Sequence, residues 1–219
     1  MEVRTMLYVI PAAGDSTRLP DKLNAVLPNG QRLCEAVRDT CGAEGHRVIF
    51  VTRDRSLHGV DCMVLAESTL GQADTVYRAL NLLDVDQDER IIIQNADNVF
   101  APEVHHDLQR WRANSVALFT VPPVEAPGPY SYAELRGSLI ISCHEKTPTT
   151  RYACAGIYLF GRVKHFLDRY NSFRWKEGRE RFISSLLFGM SAMLIDRDRF
   201  IHVGTSRELS ELKQPEWLK

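Results

Sequence analysis

The sequence predicts an α/β protein: a Rossmann-like, three-layer α/β/α arrangement around a mixed, mostly parallel central sheet. Three observations carry this expectation. Short apolar runs without alternation recur through roughly the first 120 residues, as strands buried on both faces require. Between them lie stretches in which apolar residues return at helical spacing. The order is strand, helix, strand, helix, which builds a parallel sheet with helices on both faces.

The first strand is Leu7 to Ile10, ending in Pro11-Ala12-Ala13-Gly14. A loop of small and polar residues runs from Gly14 to Pro20. The segment Leu23–Leu27 leads into Asn29-Gly30, a turn signal. Leu33, Ala36, Val37 and Cys41 mark a helix, and Arg47–Thr52 a second strand. Cys62–Leu65 reads as a third strand. Gly71–Leu83 is helical, with Ala73, Val76, Tyr77, Leu80 and Leu83 on one face. Ile91-Ile92-Ile93 forms a central strand that ends at Gln94-Asn95-Ala96-Asp97. Pro102 opens a helix to Arg112, since proline suits a first turn, and Ser115–Val121 is a strand. His105 and His106 are expected on the surface of that helix.

The rhythm then changes. Pro122–Pro129 is expected to be irregular. Ser138–Ser142 and Ala153–Phe160 read as strands separated by Glu145-Lys146-Thr147-Pro148. Arg162–Tyr170 and Gly178–Phe188 look helical. Met193–Ile195 and Phe200–Val203 are short strands, and Ser206–Lys213 is a last helix capped by Ser206. Without a linker, repeat or low-complexity tract, the chain reads as a single domain over 1–219. The change of rhythm divides it into two halves, about 1–120 and about 121–219.

Composition narrows the function. With 44% hydrophobic and 25% charged residues, the chain matches soluble globular proteins. A net charge of -1 argues against coating nucleic acid or an anionic membrane. The five cysteines form no C-x-x-C pair, so a zinc site is not expected. Their scatter suits reduced thiols in a cytoplasmic protein. The apolar stretch Met6–Ala13 is too short to span a bilayer. Neither nucleic acid nor membrane is an expected partner, and a homo-oligomer is compatible with the sequence.

Two strand ends carry unusual polar residues, and ligands of parallel sheets bind beyond the carboxyl ends of strands. The first reads Ala12-Ala13-Gly14-Asp15-Ser16-Thr17-Arg18-Leu19, then Lys22. Small residues admit a ligand close to the backbone, whose N–H groups can cradle phosphate. Arg18 and Lys22 add two cations. An ordinary polar loop would look the same. The second, Asn95-Ala96-Asp97-Asn98, places a carboxylate where Mg²⁺ could be held with substrate phosphates, or simply makes a turn. Gly71-Gln72-Ala73 opens a helix whose free N–H groups and Gln72 side chain could meet a base, or is a plain helix start.

From Val9 to Val37 the residues resemble the signature of the nucleotidyltransferases of the GT-A-like fold: a strand, A-A-G-x-(G/S)-x-R-(L/M), a lysine, a short strand, a glycine turn and a helix. Gly71-Gln72-Ala73 resembles that family's G-x-A segment, and Asn95–Phe100 its G-D-N-x-F element, with Ala96 in place of glycine. Weaker matches follow at Glu145-Lys146-Thr147-Pro148, at Ala153–Phe160, and at Phe200–Thr205, which resembles D-x-G-T with His202 where the aspartate stands.

The resemblance implies Mg²⁺-dependent transfer of a nucleoside monophosphate from an NTP to a small phosphorylated acceptor, a sugar-1-phosphate, releasing pyrophosphate. It implies catalytic roles for Arg18 and Lys22. Nucleotide binding falls to Ala12, Ala13, Gly14, Asp15, Ser16, Thr17, Gln72 and Asn95. Acceptor binding falls to Glu145, Lys146 and Gly156, and metal binding to Asp97 and His202. Imidazole suits a hard cation poorly, so His202 is the weak member of that set. Two alternatives remain: a GT-A-type glycosyltransferase that consumes a nucleotide-sugar, and a nucleotide-binding regulatory protein without turnover. The Asp pairs at 84/86 and 196/198 sit in poor context for the first, and His202 favours the second.

Overall fold

The structure, a computed structural model, describes residues 6–14, 19, 21–42, 45–53, 57, 59–111, 114–122, 128 and 130–219. Its first part alternates as the apolar runs require. β1 (Leu7–Pro11), α1 (Leu33–Gly42), β2 (Arg47–Thr52), β3 (Cys62–Val64), α2 (Gln72–Leu82) and β4 (Ile91–Gln94) follow in order. A short β5 (Asn98–Phe100), α3 (Pro102–Arg110) and β6 (Ser115–Thr120) complete it. The second part holds β7 (Ser131–Arg136), β8 (Leu139–Glu145), β9 (Tyr152–Phe160), α4 (Val163–Ser172), β10 (Ser191–Leu194), β11 (Phe200–His202) and α5 (Ser206–Ser210).

One mixed sheet takes nine strands in the order β3-β2-β1-β4-β9-β6-β10-β8-β7, and β5 pairs with β11 in a separate ribbon. β1 lies near the middle of the parallel part because both its faces are apolar. Tyr8 and Ile10 join Phe50 and Ile92 beneath Leu33 and Val37 of α1 and Val104 and Leu108 of α3. Leu7 and Val9, pointing the other way, join Ile49, Ile91 and Ile93 beneath Ala73, Val76 and Leu80 of α2 and Val163 and Phe166 of α4. This is the period-two alternation of a strand covered on both sides.

The sheet is less parallel than the sequence suggests. β3–β2, β2–β1, β1–β4 and β6–β10 are parallel. β4–β9, β9–β6, β10–β8 and β8–β7 are antiparallel. β7 also reaches back to β9, so its far half curls into a partial barrel. The cause is β9, whose long apolar run inserts antiparallel between β4 and β6 and reverses the pattern there.

Other expectations need correction. The short strand that the resemblance implies before the Asn29-Gly30 turn is reduced to a single bridge from Val26 to Arg32, after a 3-10 turn at Lys22–Asn24. β5 and β7 were not expected; β5 is three residues long, below what periodicity resolves. Gly178–Phe188 is not an α-helix. Only Ile183–Leu186 makes a 3-10 turn, because Arg181 pairs through its backbone with Leu70 and Ala73 instead. α5 is capped by Thr205, not Ser206: the Thr205 hydroxyl accepts from the Glu208 N–H at 3.2 Å, and the Glu208 carboxylate accepts from the Gly204 N–H at 3.0 Å, a variant of the capping box. His105 is buried rather than on the surface, its Nδ1 3.2 Å from the Tyr8 hydroxyl. Among the described residues no helix is long and apolar enough to cross a membrane.

Candidate active site

Three strand ends open on one cavity of about 770 Å³. β1 contributes Pro11 to Gly14, β2 contributes Thr52 and Arg53, and the turn after β4 contributes Ala96 and Asp97. Across from them stands the start of α2, with Gly71, Gln72 and Thr75. The Ala12 N–H still donates to Val51 O at 2.7 Å, so the β1–β2 ladder holds the loop rigid up to the cavity edge. Beyond it, a side chain built on Gly14 would meet no described atom. Asp15, Ser16, Thr17 and Arg18 of the expected phosphate loop lie outside the described residues.

Lys22 opens a 3-10 turn that follows Asp21 in the left-handed region at φ 51°. Its Nζ meets Asp97 Oδ2 at 2.9 Å, with the two side chains 19% and 16% exposed. Burial alone would raise the Asp97 carboxyl. The Lys22 ammonium, then His202 and hydrogen bonds from Lys22 and the backbone, more than offset this and hold it below the usual carboxylate range. Asp97 is therefore charged at neutral pH.

The β5–β11 ribbon brings His202 to this carboxylate. His202 pairs with Asn98 across the ribbon, and the Val203 N–H donates to Asp97 O at 2.8 Å. The His202 Nδ1 lies 2.6 Å from Asn98 Oδ1 and 3.9 Å from Asp97 Oδ1. Asn98 donates its amide to Ala155 O at 2.6 Å, which leaves Oδ1 as an acceptor and assigns the His202 proton to Nδ1. Its Nε2 faces Glu208 at 3.8 Å.

The fit of Mg²⁺ can be judged from these contacts. Among the described residues no three His, Cys, Asp or Glu side chains gather into a metal cage. Mg²⁺ does not need one, because it keeps waters and substrate phosphates around one or two carboxylates. Asp97 fits that role, since Lys22 engages Oδ2 and leaves Oδ1. His202 fits less well, with its protonated nitrogen on the Asp97 side.

The expected residues divide into two groups. Ala12, Ala13, Gly14, Lys22, Gln72 and Asp97 line the cavity together. Asn95, Gly156, His202, Glu145 and Lys146 do not line it. Asn95 and Gly156 support Asp97 from behind: the Asn95 N–H donates to Gly156 O at 2.8 Å. Gly156 sits at φ 84°, and a Cβ there would come within 2.5 Å of the Asn98 amide and 2.7 Å of the Asn95 amide. Glu145 ends β8 and accepts from the Ser131 and Ser184 hydroxyls, the latter at 3.3 Å. Lys146 follows at φ 55°. Tyr158 of β9 is buried, and its phenol is raised by burial first and then by Cys154, Cys143, Glu145 and Asp97.

Thr52, Arg53, Asp21, Thr75 and Glu180 also line the cavity and were not expected. Thr52 and Arg53 could have been found, because they end a strand on the ligand side of the sheet. Glu180 carries no such signal. It comes from the charge-dense stretch Lys176–Arg181, which has no regular secondary structure at Glu180.

Solved structures resemble this arrangement. The nucleoside-diphosphate-sugar pyrophosphorylase from Vibrio cholerae RC9 superposes with a TM-score of 0.77 at 20% identity, covering 94% of this chain and 98% of that one. The inositol-1-phosphate CTP transferase from T. maritima superposes with a TM-score of 0.73 at 14% identity, covering 97% and 94%. The chain has the nucleotidyltransferase fold. No family model and no curated protein matches the sequence, so the likeness lies in the fold. Within that nucleotidyltransferase fold, the Lys22–Asp97 pair and the start of α2 face each other across one cavity.

Proposed function

We propose that the protein is a nucleotidyltransferase, moving a nucleoside monophosphate from a nucleoside triphosphate to a small phosphorylated acceptor, a sugar-1-phosphate, with release of pyrophosphate. The observation that carries this reading is the Lys22–Asp97 pair, 2.9 Å apart, beside a cavity at the carboxyl ends of β1, β2 and β4. The two fold relatives act on a nucleoside-diphosphate-sugar and on inositol-1-phosphate with CTP, which supports a phosphorylated polyol or sugar as acceptor.

The chain is read as one domain. Its first half is a Rossmann-like layer, α1 and α3 on one face and α2 and α4 on the other, that holds the triphosphate. Its second half presents the acceptor. The loop from Ala12 to Thr17 cradles phosphates, and Arg18 and Lys22 offset their charge. Gln72 reads the base, and Asn95 holds the turn that carries Asp97. Glu145 and Lys146 border the acceptor, and Gly156 serves the site from behind by accepting the Asn95 N–H. Asp97 holds Mg²⁺, and His202 serves it by fixing Asn98 rather than as a ligand. When bound, Mg²⁺ neutralises the phosphate oxygens. An oxygen of the acceptor phosphate attacks the α-phosphorus in line, and the bond to pyrophosphate breaks. That nucleophile needs no strong base, so the residues work by positioning and charge neutralisation. The reaction is cytoplasmic and involves neither nucleic acid nor membrane.

The test is pyrophosphate release by the purified protein with Mg²⁺, each of the four ribonucleoside triphosphates, and a panel of sugar-1-phosphates with inositol-1-phosphate. Release should require one triphosphate and one acceptor. Asp97→Asn should lower kcat/KM by at least about 100-fold, the scale of losing a group that stabilises transition-state charge. No release from any pair overturns the reading.

A further inference from the structure

Behind the wall that carries Gln72 lies a carboxylate that no step above uses. Asp74 is 3% exposed, in the first turn of α2. Four donors converge on it. Oδ2 accepts from the Leu70 N–H at 2.9 Å and from Arg78 Nε at 3.0 Å. Oδ1 accepts from the Tyr170 hydroxyl at 2.6 Å and from Arg181 Nη1 at 3.4 Å. Burial would raise this carboxyl, but the Tyr170 and Leu70 hydrogen bonds and the Arg78 and Arg181 charges bring it below its usual value. A buried charge with this many donors is fully compensated.

The donors come from segments that build the cavity wall. The Arg181 N–H donates to Leu70 O at 2.6 Å, and the Ala73 N–H donates to Arg181 O at 2.9 Å. Between them Gly71 sits at φ 119°, and a Cβ there would lie 2.7 Å from Glu180 Cγ and 2.8 Å from Arg181 O. Glu180 is thus pressed against Gly71, and both Gln72 and Glu180 line the cavity. The Tyr170 ring also stacks on Tyr77, 4.1 Å between ring centroids, a contact separate from the hydroxyl that reaches Asp74.

We propose that Asp74 is a positioning residue of the nucleotide cavity: it clamps the turn before α2 to the 180–181 segment, fixing Gln72 and Glu180 on one wall. The proposal rests on the nucleotidyltransferase reading for its ligand, while the clamp itself can be measured without turnover. Removing the charge frees the Leu70 amide and loosens Arg181, so the wall loses its alignment although α2 remains packed.

The experiment compares Asp74→Asn and the milder Tyr170→Phe with Tyr77→Leu, which weakens the same cluster without touching the carboxylate. All are full-length and studied well below their melting midpoints. Hydrogen exchange of the Leu70, Ala73 and Arg181 amides should accelerate about tenfold in the first two, as expected for losing a hydrogen bond to a charged group. KM for the triphosphate should rise about tenfold with kcat changed far less, while Tyr77→Leu leaves KM at the wild-type value. Unchanged exchange in a folded Asp74→Asn or Tyr170→Phe protein overturns the clamp. Faster exchange with an unchanged KM, or an equal KM rise in Tyr77→Leu, overturns the positioning role. If the wild type turns over no pair, the nucleotidyl-transfer reading has failed on its own. Exchange then decides the clamp, and calorimetric binding of the triphosphates replaces KM.

Discussion

Lys22 and Asp97 are 75 residues apart in sequence and 2.9 Å apart in space. Both are part-buried at the cavity edge, where each charge offsets the desolvation of the other. The pairing has a pH signature. The folded Asp97 carboxyl lies below its ordinary value of 3.8, so the unfolded chain takes up this proton first as pH falls. The stabilisation from Asp97 is therefore complete above the ordinary carboxylate range and is lost as pH drops through the lower, folded value. Lys22→Met should be less stable than wild type at neutral pH, and the gap should close in strong acid. Urea midpoints measured from pH 7 downward check this. A gap that persists below the folded titration would mean that packing, not charge, holds Lys22.

Among the elements, β9 has most to do with how the site is shaped. Its register against β6 shifts between Val116 and Leu118, and Gly156 at φ 84° occupies the irregular stretch. Such bulges re-aim backbone next to functional sites. Here the bulge turns the Gly156 carbonyl to the Asn95 N–H and leaves just enough room for the Asn95 and Asn98 amides. Gly156→Ala would need both a strained backbone and displaced amides. It should destabilise the fold by about 1–3 kcal/mol, measured by urea unfolding, and reduce turnover beyond what stability explains. α5 offers the contrast: its Thr205 cap follows β11, and its Glu208 faces His202 at 3.8 Å.

On the scale of the whole molecule, the two apolar faces of the sheet serve different ends. The face with α2 and α4 carries the wall of the cavity. The face with α1 and α3 holds a buried polar cluster in which His105 meets Tyr8, while the His105 Nε2 is buried without a partner among the described residues. Burial first, then the nearby His46 and His106, lowers the His105 imidazole to about 3 from an ordinary 6.5. Between those values the unfolded chain binds a proton that the folded chain refuses, so global stability should rise with pH across that window. His105→Phe should flatten the slope of unfolding free energy against pH between about 3 and 6.5. An unchanged slope would assign the effect to other groups.

Sequence alone determined the alternation of buried strands and amphipathic helices up to β6, because the periodicities of 2.0 and 3.6 are local properties that neighbouring residues express without help from the rest of the chain. It also brought forward Ala12 to Gly14, Gln72 and Asp97, since each stands near the end of a strand or the start of a helix, and Lys22, a cation that follows the small-residue loop as the family pattern has it. Only the tertiary structure decided the rest. β5 is too short to read, and it exists because β11, about 100 residues later, supplies its partner and with it His202. The 178–188 segment is charge-rich and helix-prone, yet Leu70 and Ala73 draw Arg181 into an extended pairing that puts Glu180 on the cavity wall. Asp74 reads as a helix-start residue, and its four donors come together only when α2, α4 and that segment pack. Contacts between residues so distant in sequence form only when the folded chain lowers the entropy cost of bringing them together, and no local pattern encodes that.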